Sequence, residues 1–141
     1  MTAKVEIRPG GTNERSDLFA FAKSAFGRRG GWSDRRTLEA LQKDAVFVAH
    51  VGDSLAGYVA LRRDADSVRI EQLLVAPHHE GEGVGHRLLE YAEGYAISSG
   101  AKTIEIVVEA DNDRATAFYR RSGFVPAGEQ LFELALPRGE G

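Results

Sequence analysis

Three glycines, Gly81, Gly83 and Gly85, stand close together in the run His78–His79–Glu80–Gly81–Glu82–Gly83–Val84–Gly85, after a strand-like segment and before a helix-like one. Physically this is an anion site: glycines let backbone N–H groups approach a ligand, and the first unpaired donors and the dipole of a helix favour negative charge. Two familiar phosphate loops do not match it. No Gly–Lys–Ser/Thr follows, and the third glycine of a dinucleotide fingerprint would fall on His86. The neighbouring histidines are not expected to hold a metal, because adjacent side chains diverge and no spaced histidine or cysteine partner follows. With no cysteine in the chain, a thiolate zinc site, an iron–sulfur cluster and a cysteine nucleophile are excluded.

The frame that must position this loop has 141 residues, read as a single domain over 1–141. Folding a chain of that size buries about 68–70% of its unfolded surface, enough for a full core. With 43% apolar and 28% charged residues, the composition is that of an ordinary globular domain. A formal net charge of −3 argues against a nucleic-acid or anionic-membrane partner. No apolar run approaches the roughly 20 residues that span a bilayer, and residues 1–15 lack a signal-like apolar stretch, so the expected address is cytoplasmic.

Along the chain, Val5–Arg8 alternates and stops at Pro9–Gly10–Gly11, a strand and a turn. Ser16 is the expected cap of a helix carrying Leu18, Phe19, Ala22, Ala25 and Phe26, and Ser33 that of a helix over Asp34–Lys43. Ala45–Val51 and Leu55–Arg63 read as a hairpin turning at Gly52–Asp53–Ser54, and Arg69–Ala76 as a third strand stopped by Pro77. Val84, Leu88, Leu89, Ala92, Tyr95 and Ala96 form the apolar stripe of a long helix that Gly100 ends. Thr103–Ala110 alternates, Asp111–Asn112–Asp113 supplies a cap for a helix over Arg114–Ser122, and Phe124–Val125 and Leu131–Leu136 close the chain as strands. The order is βααβββαβαββ, a mixed α/β layer.

Two segments in that order resemble a known family. Leu73–Leu74–Val75–Ala76–Pro77 followed by Glu80–Gly81–Glu82–Gly83–Val84–Gly85 is similar to the acyl-CoA loop of the GNAT N-acetyltransferases, Arg/Gln-x-x-Gly-x-Gly/Ala after a strand ending Val-x-Pro. One helix and one strand later, Asn112–Asp113–Arg114–Ala115–Thr116–Ala117–Phe118–Tyr119–Arg120–Arg121–Ser122–Gly123–Phe124 resembles the family's Asn-x-x-Ala-x-x-Phe-Tyr-x-x-x-Gly-Phe. The resemblance implies an α/β fold with a mixed, mainly antiparallel central sheet of about six or seven strands, about four helices, and a splay between the two central strands. It implies an acyl-CoA-dependent acetyltransferase moving acetyl from acetyl-CoA to a primary amine by direct attack. The alternative is a non-catalytic domain of the same fold that senses CoA or binds a partner. No metal is called for, and a homodimer is compatible.

Residue by residue, the resemblance implies that the backbone at Leu73, Leu74 and Val75 binds the pantetheine arm. Donors across Gly81, Glu82, Gly83, Val84, Gly85 and His86 hold the pyrophosphate. Asn112 helps fix the arm, Phe118 packs on the cofactor side, and Tyr119 points its hydroxyl at the sulfur. The chain departs from the pattern at Glu80, where Arg or Gln is usual, and Glu82 adds a second carboxylate, so pyrophosphate binding is expected to be weakened and not lost. An ordinary amine at pH 7 is neutral in only about one molecule in 2,500, roughly 4–5 kcal/mol to be recovered by a base or by desolvation. Glu71, on the strand leading to Val75, is the candidate base, with Glu105, Glu109 and water as alternatives. A thiol is more acidic than a phenol, so Tyr119 need only hydrogen-bond the departing thiolate. Phe26, Arg28, Arg29 and Trp32, between the first two helices, are expected to line the acceptor side, where a basic wall suits a carboxylate or phosphate on the acceptor.

Overall fold

The computed structural model of the chain describes residues 4–11, 14–26, 34–43 and 45–137. Its elements are β1 (Val5–Pro9), α1 (Arg15–Phe26), α2 (Asp34–Lys43), β2 (Ala45–Val51), β3 (Ser54–Asp64), β4 (Ser67–Val75), a 3-10 turn (Pro77–His79), α3 (Val84–Ser98), β5 (Thr103–Val107), α4 (Asp113–Arg121), β6 (Val125–Pro126) and β7 (Leu131–Ala135). The element order is the expected one. Among the described residues seven strands follow one another by hydrogen bonding as β1-β2-β3-β4-β5-β7-β6. The chain divides into two compact units, Met1–Arg62 with Glu71–Ala92, and Arg63–Ile70 with Glu93–Gly141.

In the first unit, β1 pairs antiparallel with β2 from Val5↔Val51 to Pro9↔Phe47, and β2 pairs antiparallel with β3 from Ala45↔Leu61 to Val51↔Ser54. The hairpin between β2 and β3 turns at Gly52, whose φ of 61° is the left-handed conformation glycine adopts without strain. Leu18 and Ala22 of α1 and Ala40 and Leu41 of α2 pack with Val48, Tyr58, Ala60 and Leu74 into one buried cluster. Burying side chains such as Leu18 and Leu41 contributes roughly 1.5–3 kcal/mol each. One polar chain crosses this core: Tyr58 Oη donates to Gln72 Oε1 at 2.6 Å, and Gln72 Nε2 donates to Thr37 Oγ1 at 3.1 Å. It satisfies groups that would otherwise be buried unpaired, and it fastens α2 to β4.

The expected cap at Ser16 does not hold. The helix α1 begins at Arg15, which puts Ser16 inside its first turn. Glu14 does the local anchoring instead, accepting from the Gly11 N–H at 3.3 Å and pairing with both terminal nitrogens of Arg8 at 2.8 and 3.0 Å.

In the second unit, the first residues of β4 run parallel to β5, from Ser67↔Thr103 to Ile70↔Ile106, and among the described residues that ladder goes no further. β5 pairs antiparallel with β7 from Thr103↔Ala135 to Val107↔Leu131, and β6 adds Val125↔Glu133 and Pro126↔Phe132. The strand expected to reach Ala110 stops at Val107. Val108 still donates to the Gln130 carbonyl at 2.8 Å, but the Glu109 carbonyl accepts from the Asn112 N–H, a turn that ends the extended run. Phe124 likewise lies outside β6, its N–H bound to the Tyr119 carbonyl at the close of α4.

Candidate active site

The first unit carries the acid-rich glycine turn and the end of β4. Ala76 donates its N–H to the Ala56 carbonyl of β3 at 2.7 Å, and the Leu74 carbonyl faces Gly57 of β3. Alternation along a strand therefore turns the backbone groups of Leu73 and Val75 to the opposite edge. Glu71, Leu73 and Val75 share the half-buried face of β4, while Gln72 and Leu74 point into the core.

Beyond Val75 the 3-10 turn leads into the glycines. Gly81 and Gly83 both have φ of 82°, a left-handed backbone that L side chains rarely adopt. Gly85 belongs to α3 itself. The first α-helical bond of α3 is Arg87 N–H to the Gly83 carbonyl, and no backbone carbonyl among the described residues accepts from Val84, Gly85 or His86. These are the free donors of a helix start, the local chemistry that suits a phosphate group. His86 stands at the surface, 3.3 Å from Glu90.

Glu82 is turned onto His79, its Oε2 2.8 Å from Nδ1, and His79 Nε2 lies 2.9 Å from Ser54 Oγ. The sequence raises His79 only as a metal ligand to be set aside, and its structural partners are not legible there. The i,i+3 spacing to Glu82 was a weak signal, and Ser54 lies too far along the chain to give one.

The second unit carries α4. Asn112 caps it, its side chain accepting from the Ala115 N–H at 3.1 Å. Its amide oxygen is thus committed to the helix, and the amide NH2 is what it can offer a ligand. Phe118 is half-buried and stacks edge-on against Tyr119 at 5.0 Å between ring centroids, and Phe124 does the same at 5.3 Å. Tyr119 is buried at 5% exposure, and among the described residues nothing hydrogen-bonds its hydroxyl. Burial pushes its phenol well above the ordinary tyrosine range, so the group is a hydrogen-bond donor and never a phenolate at neutral pH.

The carboxylates considered as bases separate clearly. Glu105 is held by Arg69, with Nε at 3.2 Å and Nη2 at 3.0 Å from one oxygen, across the register pair Arg69↔Glu105. Glu109 is exposed. Glu71 is 16% exposed in its side chain and stands 3.9 Å from Arg62. Of the expected acceptor wall, Arg28, Arg29, Trp32 and the side chain of Phe26 lie outside the described residues. Among the described residues no group of three or more histidine and carboxylate side chains could hold a metal ion, and no helix is long and apolar enough to cross a membrane.

A streptothricin acetyltransferase of Streptomyces lavendulae is 36% identical over 118 residues, 81% of this chain and 58% of that protein. A mycothiol acetyltransferase of Corynebacterium efficiens is 30% identical over 106 residues, 70% of this chain, which spans only 36% of that relative's length. A GNAT family acetyltransferase from Brucella melitensis, solved in complex with acetyl-CoA, superposes with a TM-score of 0.74 at 19% identity, covering 98% of this chain and 94% of that one. The model of the acetyltransferase (GNAT) family matches residues 15–124, spanning both the glycine turn after β4 and the helix α4 with its Asn112 cap, and the chain belongs to that family.

Proposed function

We propose that residues 1–141 act as a single N-acetyltransferase domain, transferring acetyl from acetyl-CoA to the primary amine of an acceptor by direct attack in a ternary complex. The observation that carries this reading is Tyr119: a buried phenol, locked in its protonated form, with no hydrogen-bond partner among the described residues. A buried hydroxyl left unpaired costs about 1–3 kcal/mol unless function uses it, and a departing thiolate is such a use.

The residues present fit the cosubstrate. Bound acetyl-CoA supplies an acetyl group activated as a thioester. The donors at the start of α3, spaced by two left-handed glycines, suit its pyrophosphate. The backbone groups of Leu73 and Val75, past the Ile70↔Ile106 pair that ends the β4–β5 ladder, suit its pantetheine arm, and the Asn112 amide NH2 can add a donor. Glu71 takes the proton from the amine as nitrogen bonds to the acetyl carbon, directly or through water. As the carbon–sulfur bond breaks, Tyr119 donates a hydrogen bond to the sulfur, and the thiolate then takes up a proton. Phe26, Arg28, Arg29 and Trp32 would line the acceptor side, and the setting is cytoplasmic, with neither nucleic acid nor membrane as partner.

The test is a thermal-shift and calorimetry titration with acetyl-CoA beside NAD, followed by turnover with an amine panel. A ligand at a hundred times its Kd adds about 2.7 kcal/mol of stability. The expected result is a shift with acetyl-CoA, none with NAD, and for Tyr119→Phe a fall in kcat of about 10–100-fold with acetyl-CoA binding retained. Binding with no turnover by wild type on any amine would favour the CoA-sensing alternative.

A further inference from the structure

The hydrogen-bonded chain Ser54–His79–Glu82 has no part in the transfer itself, yet it reaches into the glycine turn. Glu82 accepts at 2.8 Å from Nδ1 of His79, and Nε2 of the same ring meets Ser54 Oγ at 2.9 Å. A carboxylate only accepts, so Nδ1 carries the hydrogen; in the neutral ring Nε2 then has the lone pair, and Ser54 donates to it. The chain has one direction, from a hydroxyl on β3 through a buried imidazole to a carboxylate between two left-handed glycines.

Glu82 is the residue best placed to spoil the site it sits in. Its carboxylate precedes the free N–H groups of Val84, Gly85 and His86, where an acidic side chain is drawn by the helix dipole and can cap the donors itself. In that position it would compete with a pyrophosphate for the same donors and repel it. The structure has it bonded to His79 instead.

We propose that His79 is a positioning residue that draws the Glu82 carboxylate away from the donors at the start of α3 and fastens the glycine turn to β3 through Ser54. The proposal rests on the acyl-CoA reading of that turn. The contact turns the Glu82 carboxylate from a competitor of the pyrophosphate into a ligand of His79.

Two measurements test it, one of them without ligand. Long-range proton–nitrogen NMR of the histidine rings in the free protein at about pH 8 should find His79 protonated on Nδ1 and bare on Nε2; the opposite tautomer overturns the proposal whatever CoA does. Calorimetry with CoA then compares wild type, His79→Phe, Glu82→Gln and the double variant, each checked by thermal melting. Phenylalanine keeps the ring and loses the donor. His79→Phe should raise the Kd for CoA about tenfold, Glu82→Gln should bind CoA somewhat more tightly than wild type, and the double variant should recover most of the loss. An equal loss from His79→Phe with and without the carboxylate means that His79 only supports the fold, and overturns the proposal. Wild type that fails to bind CoA removes the acyl-CoA reading and the proposal with it, while the tautomer result still reports the hydrogen-bonded chain by itself.

Discussion

Gly57 of β3 lies so close to the Leu74 carbonyl of β4 that a methyl group added to it would overlap the carbonyl oxygen, and would also stand 3.3 Å from Cδ1 of Leu88 on α3. The absent side chain lets strand and helix close together where the glycine turn begins. Gly57→Ala forces backbone, not a flexible side-chain tip, to move. The expected cost is about 1–3 kcal/mol or more. Urea unfolding checks it, and an unchanged midpoint would show that β3 and β4 are looser than described.

Tyr119 has a pH consequence. Burial raises its phenol, so the proton stays on well beyond the pH at which a free tyrosine ionises. An alkaline limb in kcat below about pH 10 therefore belongs to another group and persists in the residual activity of Tyr119→Phe. A limb that vanishes with the hydroxyl would contradict the assignment.

Glu71 and Glu105 offer a paired comparison. Glu71→Gln should lower kcat/KM about 100-fold while leaving CoA binding in place, if it receives the amine proton. Glu105→Gln breaks the contact with Arg69 and should act on stability, by about 1 kcal/mol, with little change in turnover. The reverse pattern would move the base to β5.

Glu14 makes part of the stability acid-sensitive. Burial alone would raise its carboxyl, but the Gly11 N–H and the Arg8 guanidinium outweigh that and hold it below its ordinary value of 4.5. A lowered folded-state value means the contribution is present above the unfolded value and disappears as pH falls through the folded one. Glu14→Gln should therefore cost about 0.5–1 kcal/mol at neutral pH, with the two melting curves converging in acid, as pH falls past 4.5 and on through the lowered folded-state value. A gap that persists into acid would assign the effect to packing.

Much of this architecture is legible in the sequence. Apolar spacing switches between two and three-to-four residues at the right places, so the order of strands and helices could be read, and Asn112 announced the start of α4. What could not be read depends on neighbours distant in sequence. Arg69 and Glu71 lie on one face of β4, but the parallel register gives Arg69 to Glu105, while Glu71 stands beside Arg62. Ser54 and His79 meet across 25 positions. Gln72 was partly legible, since it shares parity with Val68, Ile70 and Leu74 and must therefore be buried; that it serves Tyr58 and Thr37 together follows only from the packing.

That glutamine sits between Glu71, the proposed base, and Leu73, whose backbone is assigned to the pantetheine arm. Its amide is hooked to the Thr37 hydroxyl on α2, the helix that follows the segment assigned to the acceptor. A displacement of α2 would thus reach β4 one residue away from the proposed proton acceptor, through the 3.1 Å hydrogen bond between Thr37 and Gln72. Acceptors that seat α2 differently would set the aim of Glu71 as well as their own affinity, so selectivity among amines would be expressed in the rate of transfer as much as in the strength of binding.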